Sequence, residues 1–115
     1  MKKIKIATDF SQTPGARYIS EGDFSGELFR TSMLRAGVQD AIKAGQKLLV
    51  DLDGTPGYGS SFLEESFGGL VRYDGISAEV VLAHLDLKSD DEPYLADDIR
   101  DYILAAGKAR AGEGQ

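Results

Sequence analysis

Cysteine is absent from the sequence, and histidine occurs once, as His84. The first absence excludes a disulfide framework, thiol catalysis and any Cys-ligated zinc or iron–sulfur centre. The second excludes a multi-histidine metal site within one chain. Long apolar runs are also missing. No stretch approaches the roughly 20 residues of a bilayer span. Lys2-Lys3 is followed by only a short apolar stretch, which is not the pattern of a secretory signal. These absences predict a cytoplasmic protein with no membrane contact. Positive charge is scarce too: 13 Lys and Arg stand against 19 Asp and Glu, a formal charge of −6. Such a chain repels phosphate backbones and is not expected to bind nucleic acid. What remains is ordinary, with 42% hydrophobic and 28% charged residues among 115. That length supports one domain with a real core.

The pattern along the chain alternates strands and helices. Lys3 to Thr8 alternates strictly and predicts a half-buried strand with Ile4 and Ile6 inward. A turn at Pro14-Gly15 precedes a second short strand over Arg17 to Ser20, paired back on the first. Ser25 is a good N-cap, and the apolar residues Phe29, Met33, Leu34, Val38, Ala41 and Ile42 share one broad helical face that ends at Gly45. Gly37 interrupts that helix. Leu48 to Leu52 is a near-continuous apolar run and predicts a central strand covered on both faces. Ser61-x-x-Glu64 has the form of a capping box and opens a second helix reaching about Tyr73. Gly68-Gly69 within it predicts close packing. Leu85 and Leu87 alternate with Asp86 as a strand, whereas Ile76 to Ala83 fits either a strand or a short helix. Asp91 to Ala106 carries the clearest helical spacing, with Pro93 in its first turn. The expected fold class is α/β, in the order β-β-α-β-α-β-α, with a small four-stranded mixed sheet covered by about three helices. Residues 1–107 form one domain, and 108–115 read as a flexible tail.

The chemistry concentrates between Leu49 and Leu70. A buried strand ends in Asp51 and Asp53, a glycine-rich loop from Gly54 to Gly59 follows, and Ser60-Ser61 opens a helix. A helix start offers free N–H groups, so Ser60 and Ser61 are candidates for phosphorylation or anion binding. Capping alone explains them equally. Gly57, Tyr58, Gly59, Phe62, Glu64 and Glu65 surround them as candidate partner contacts, with Arg17, Asp51 and Asp53 in support. Arg17 is expected to pair with Glu27, Asp51 or Asp53. Phe24, Phe29, Phe62 and Phe67 are expected in the core, and His84 reads as structural. The loop lacks the Lys-Ser/Thr ending of a P-loop, and no Ser-His-Asp triad can be built. No catalytic residue, metal or cofactor is assigned.

Two resemblances bear on function. Val50-Asp51-Leu52-Asp53-Gly54-Thr55 resembles the first motif of haloacid-dehalogenase-like phosphatases. It implies, as an alternative, a small Mg²⁺-dependent phosphatase with Asp51 as nucleophile and Asp53 as general acid/base. The whole chain is more similar to STAS domains of anti-sigma-factor antagonists. There a strand with a Val-Asp-Leu-like string is followed by Asp-Ser-Ser-Gly-Leu at a helix start. Aligned on Val50-Asp51-Leu52, the phosphorylated serine falls on Ser60, with Gly59 in place of the Asp and Phe62 in place of the Gly. Gly15-Ala16-Arg17, Ser25-Gly26-Glu27-Leu28-Phe29, Asp53-Gly54 and Ser61-Phe62-Leu63-Glu64-Glu65 together resemble the bacterial STAS-like family of unknown function, over residues 3–106. That family implies the fold, whereas the resemblance to anti-sigma-factor antagonists implies a non-enzymatic regulatory protein-interaction module. Its partner would be a histidine-kinase-like ATPase acting as a serine kinase, and its assembly either monomer or homodimer.

Overall fold

The computed structural model describes residues 2–113. Strand β1 is Lys3–Lys5, with Ile4 inward. It stops earlier than its alternation predicts. The Asp9 carboxylate accepts the Lys5 N–H at 2.8 Å, and Ser11 N–H closes a wide turn over Ile6–Phe10 by donating to Ile6 O. Short polar side chains here compete with the ladder for the backbone. Ile6 is still buried.

The second strand expected over Arg17 to Ser20 does not form. Ile19–Glu21 makes a single 3₁₀ turn instead. Glu21 accepts the Tyr18 N–H and Glu27 the Ile19 N–H, so side chains occupy the donors that a ladder would have used. Among the described residues the sheet therefore has three strands rather than four, and it is parallel rather than mixed. Strand β2 is Leu48–Asp51 and β3 is Leu85–Lys88, in the order β1-β2-β3. Ile4, Val50 and Leu87 stand in register on the inner face, with Lys5, Asp51 and Lys88 in register on the other.

Parallel neighbours require crossovers. The first is α1, residues 26–44, built from Gly26–Phe29, a widened turn at Arg30–Leu34 and Arg35–Ala44. Ser25 caps it by accepting Leu28 N–H, and Gly45 ends it in the left-handed region. Gly37 fits because a Cβ there would lie 3.1 Å from Leu48 on β2. The second crossover is α2, residues 60–72, followed by α3, Ala78–Ala83. Ser77 accepts Val80 N–H at the start of α3, which makes this formerly ambiguous segment helical. The last helix, α4, is Leu95–Glu113 and packs on α2 and α3. It continues through residues expected as a tail, and Arg110 donates to Val71 O at 2.8 Å. Gly114 and Gln115 of that tail lie outside the described residues.

The core lies between the inner sheet face and the helices. Phe29, Phe62 and Phe67 are fully withdrawn from water, each worth about 1.5–3 kcal/mol of burial. Phe24, expected with them, is 42% exposed and rests edge-on against Phe10. The outer sheet face carries Lys3, Lys5, Leu49, Asp51, Asp86 and Lys88, and Leu49 lies outside the core cluster. On that face Leu49 is half-buried and Asp51 buried beside Lys3, so β2 is covered there without joining the core. No helix among the described residues is long and apolar enough to cross a membrane.

Candidate functional site

The carboxyl end of β2 sends the chain toward the start of α2. Asp51 is buried, and its Oδ1 accepts the Asp53 N–H at 3.0 Å, an arrangement that Asp favours at turns. Asp53 braces the opposite loop. Its Oδ1 accepts Asp91 N–H at 2.9 Å and its Oδ2 the Lys88 ammonium at 2.7 Å. The Asp91 N–H and then Lys88 hold the Asp53 carboxyl below its ordinary range. Asp91 returns the contact by accepting Gly54 N–H, and Lys88 also pairs with Asp90. Both acids of the phosphatase-like string are thereby tied into loop architecture.

Tyr58 closes the loop from above. Its hydroxyl donates to Leu52 O at 2.8 Å, and its ring stacks 5.9 Å from Phe62. Burial pushes the phenol up to about 12. Tyr58 is a pin for the loop rather than an exposed aromatic tip. Gly59, Ser60 and Ser61 follow on the surface. The expected capping box is not made. Gly59 stands at the N-cap with no side-chain cap, and α2 begins at Ser60. Neither serine hydroxyl has a hydrogen-bond partner among the described residues.

Glu64 and Glu65 turn to other partners. Arg17 pairs with both, not with Glu27, Asp51 or Asp53. Arg72 grips Glu64 through two nitrogens at 2.8 and 3.0 Å and reaches Glu65 at 3.6 Å. Arg30 reaches Glu65 at 3.5 Å and Asp74 at 3.0 Å, and Arg35 also meets Asp74. Burial pushes the Glu64 carboxyl up, but Arg72 and Arg17 outweigh it and hold the group low. Both Arg30 and Arg72 lie over the Tyr73 ring, at 5.1 and 4.9 Å. Gly69 makes room for Arg30, since a Cβ there would fall 2.5 Å from its Nε.

This cluster corrects the expected contact surface. Phe62 is fully buried and Glu65 is 1% exposed, so neither can meet a partner directly. Gly59, Ser60 and Ser61 remain available. Ser61 shares an open groove with Ala16, Arg17, Tyr18 and Glu21. Arg30, Arg72, Asp74, Tyr18 and Tyr73 escaped the sequence reading. One signal for Arg30 existed: it stands four residues before Leu34 and eight before Val38, a charge on an apolar stripe. His84 sits at the end of α3 with Nδ1 2.8 Å from Val80 O, as its structural reading predicts.

A parallel sheet with a serine pair opening the helix after its central strand sets the comparison. A family model for the STAS-like domain of unknown function matches residues 25–95. The chain belongs to that family. The match takes in Ser25-Gly26-Glu27, Asp53-Gly54 and Ser61-Phe62-Leu63-Glu64, whereas Gly15-Ala16-Arg17 precedes it. Searches of curated proteins and of solved structures returned no match. The STAS-like assignment carries a fold and leaves the activity to be argued from the site.

Proposed function

We propose that this STAS-like domain is a regulatory protein-interaction module that works without catalysis and is switched by phosphorylation at the start of α2. The carrying observation is the exposed Gly59-Ser60-Ser61 segment, whose hydroxyls are unengaged while the residues on either side are pinned. A rigid base with a free hydroxyl pair suits a modification that changes surface charge. Exposed Tyr18 lines the groove with Ser61 and, with its exposed chain neighbour Ile19, supplies apolar contact area for a partner. The partner chemistry we favour is a histidine-kinase-like ATPase acting as a serine kinase. A phosphate adds about −2 charge and would release it. This reading places the domain in the cytoplasm.

The test is peptide mapping of the protein recovered from its own host in growth and in starvation, followed by capture of partners. Phosphate on Ser60 or Ser61, with a captured ATPase lost by the Ser60→Asp/Ser61→Asp variant, supports the switch. A chain unmodified in both states, bound equally well by that variant, overturns it. Light scattering across concentration assigns monomer or homodimer.

A further inference from the structure

Ser60 and Ser61 do not share surroundings. Ser61 borders the groove with Arg17, Tyr18 and Glu21. It also precedes Glu64 by three residues and Glu65 by four, so all three lie along one flank of α2. Those two carboxylates are the ones that hold Arg17. Arg17 and Ser61 thus line one groove, on the flank of α2 that carries those carboxylates.

Arg17 is also the cation that this cluster can spare. If it leaves, Glu64 keeps the two-pronged contact with Arg72, and Glu65 keeps Arg30 and Arg72. No acid is left unpaired, so the cost is small. Arg30 has no such freedom, with a side chain 6% exposed between two acids. Arg17 is 28% exposed, and its backbone is anchored separately, because Gly26 N–H donates to Ala16 O and Glu27 N–H to Arg17 O. Its side chain can move while the loop stays docked.

We propose that Ser61, rather than Ser60, is the modified serine, and that Arg17 reads the modification by moving from Glu64 to the phosphate. The proposal rests on the phosphorylation reading above. In the transfer, Ser61 Oγ bonds to the γ-phosphorus of a nucleoside triphosphate. The bond from that phosphorus to the β–γ bridging oxygen breaks, the diphosphate leaves with the electron pair, and the hydroxyl proton passes to a base on the kinase. Arginine then meets the phosphate through paired N–H donors, and the phosphate carries about −2 charge where Glu64 carries a single charge already shared with Arg72. Glu21 lines the same groove and opposes the phosphate, so the contact depends on Arg17. The outcome is a local change of about −2 charge beside Tyr18 and Ile19, without unfolding of α2.

Phosphoserine placed at position 61 or at 60 during translation gives two proteins for ³¹P NMR titration. The phosphate at 61 is expected to take its second ionisation at least about half a pH unit below the phosphate at 60. Arg17→Gln should erase that gap, and Arg17→Lys should restore part of it. Because both serines sit at the start of the helix, the arginine variants separate its effect from that of the helix end. Equal titration at the two positions, or a gap that survives Arg17→Gln, overturns the proposal. These titrations need neither kinase nor partner. Host protein without phosphate would therefore defeat the regulatory reading while the Arg17 contact stood or fell by itself.

Discussion

Two charge clusters, one around Arg30 and one around Lys88, differ in their access to water. Between α1 and α2, the side chains of Arg30, Glu65 and Asp74 are 6%, 1% and 6% exposed. At the strand ends, Lys88 is 43% exposed and bridges Asp53 and Asp90. The two look alike as ion pairs. Removing one buried partner strands the other in a medium that cannot solvate it, whereas water replaces a partner lost at the surface. The buried cluster therefore holds two helices in one relation. The exposed cluster only trims a loop.

The largest break of this contrast is Glu65→Ala. It leaves Arg30 with Asp74 alone and should cost about 3 kcal/mol in urea unfolding. A loss below about 1 kcal/mol would falsify the buried character of the pair. Next comes Gly69→Ala, whose Cβ would fall 2.5 Å from Arg30 Nε. The clash costs about 1–3 kcal/mol and the gain in helix propensity returns up to about 1. Gly59→Ala meets nothing within 4 Å and should cost only about 0.5 kcal/mol, from the poorer N-cap. Equal effects of the two alanines would refute the close approach of α1 and α2.

Glu64→Gln sharpens the comparison through pH. The folded Glu64 carboxyl lies below its ordinary value. Its contribution is thus complete above the unfolded value, near pH 4.3, and is lost as pH falls through the folded value. The gap between wild type and Glu64→Gln, about 1 kcal/mol or less for a partly exposed group, should close on acidification from pH 6 to pH 3. A gap that widens toward acid would reverse the assigned sign.

The smallest effect is expected at the strand ends. Asp53→Asn should shift the melting temperature less than any core-facing change above, because water takes over at Lys88. The same residues test chemistry. With Mg²⁺ and a generic phosphomonoester the protein should show no turnover, since Asp51 is committed to the Asp53 N–H. Turnover abolished by Asp51→Asn would move the function to the phosphatase reading.

Much of the fold was legible because its signals are local. Ser25 before an apolar face and Gly45 after it marked both ends of α1. Leu95, Ile99, Ile103 and Ala106 marked the buried stripe of α4. The strand over Arg17 to Ser20 was misread because Glu27, eight residues from Ile19, took a backbone donor that the ladder needed. Ser60 and Ser61 stood out as candidates, but their freedom from capping did not, since Ser61-x-x-Glu64 reads equally well as a capping box. Glu64 was drawn away by Arg17, 47 residues distant, and by Arg72.

By itself the sequence determined the class α/β, the apolar faces of the helices, both ends of α1, and the family. These follow from spacings within a turn or two, where a residue's neighbours in space are also its neighbours in the chain. Tertiary structure alone decided which charges pair and which serine borders the groove that Arg17 lines. Parallel crossovers bring α1, α2 and the 12–22 loop together, and Coulomb attraction then selects partners by distance in space, which spacing along the chain does not encode.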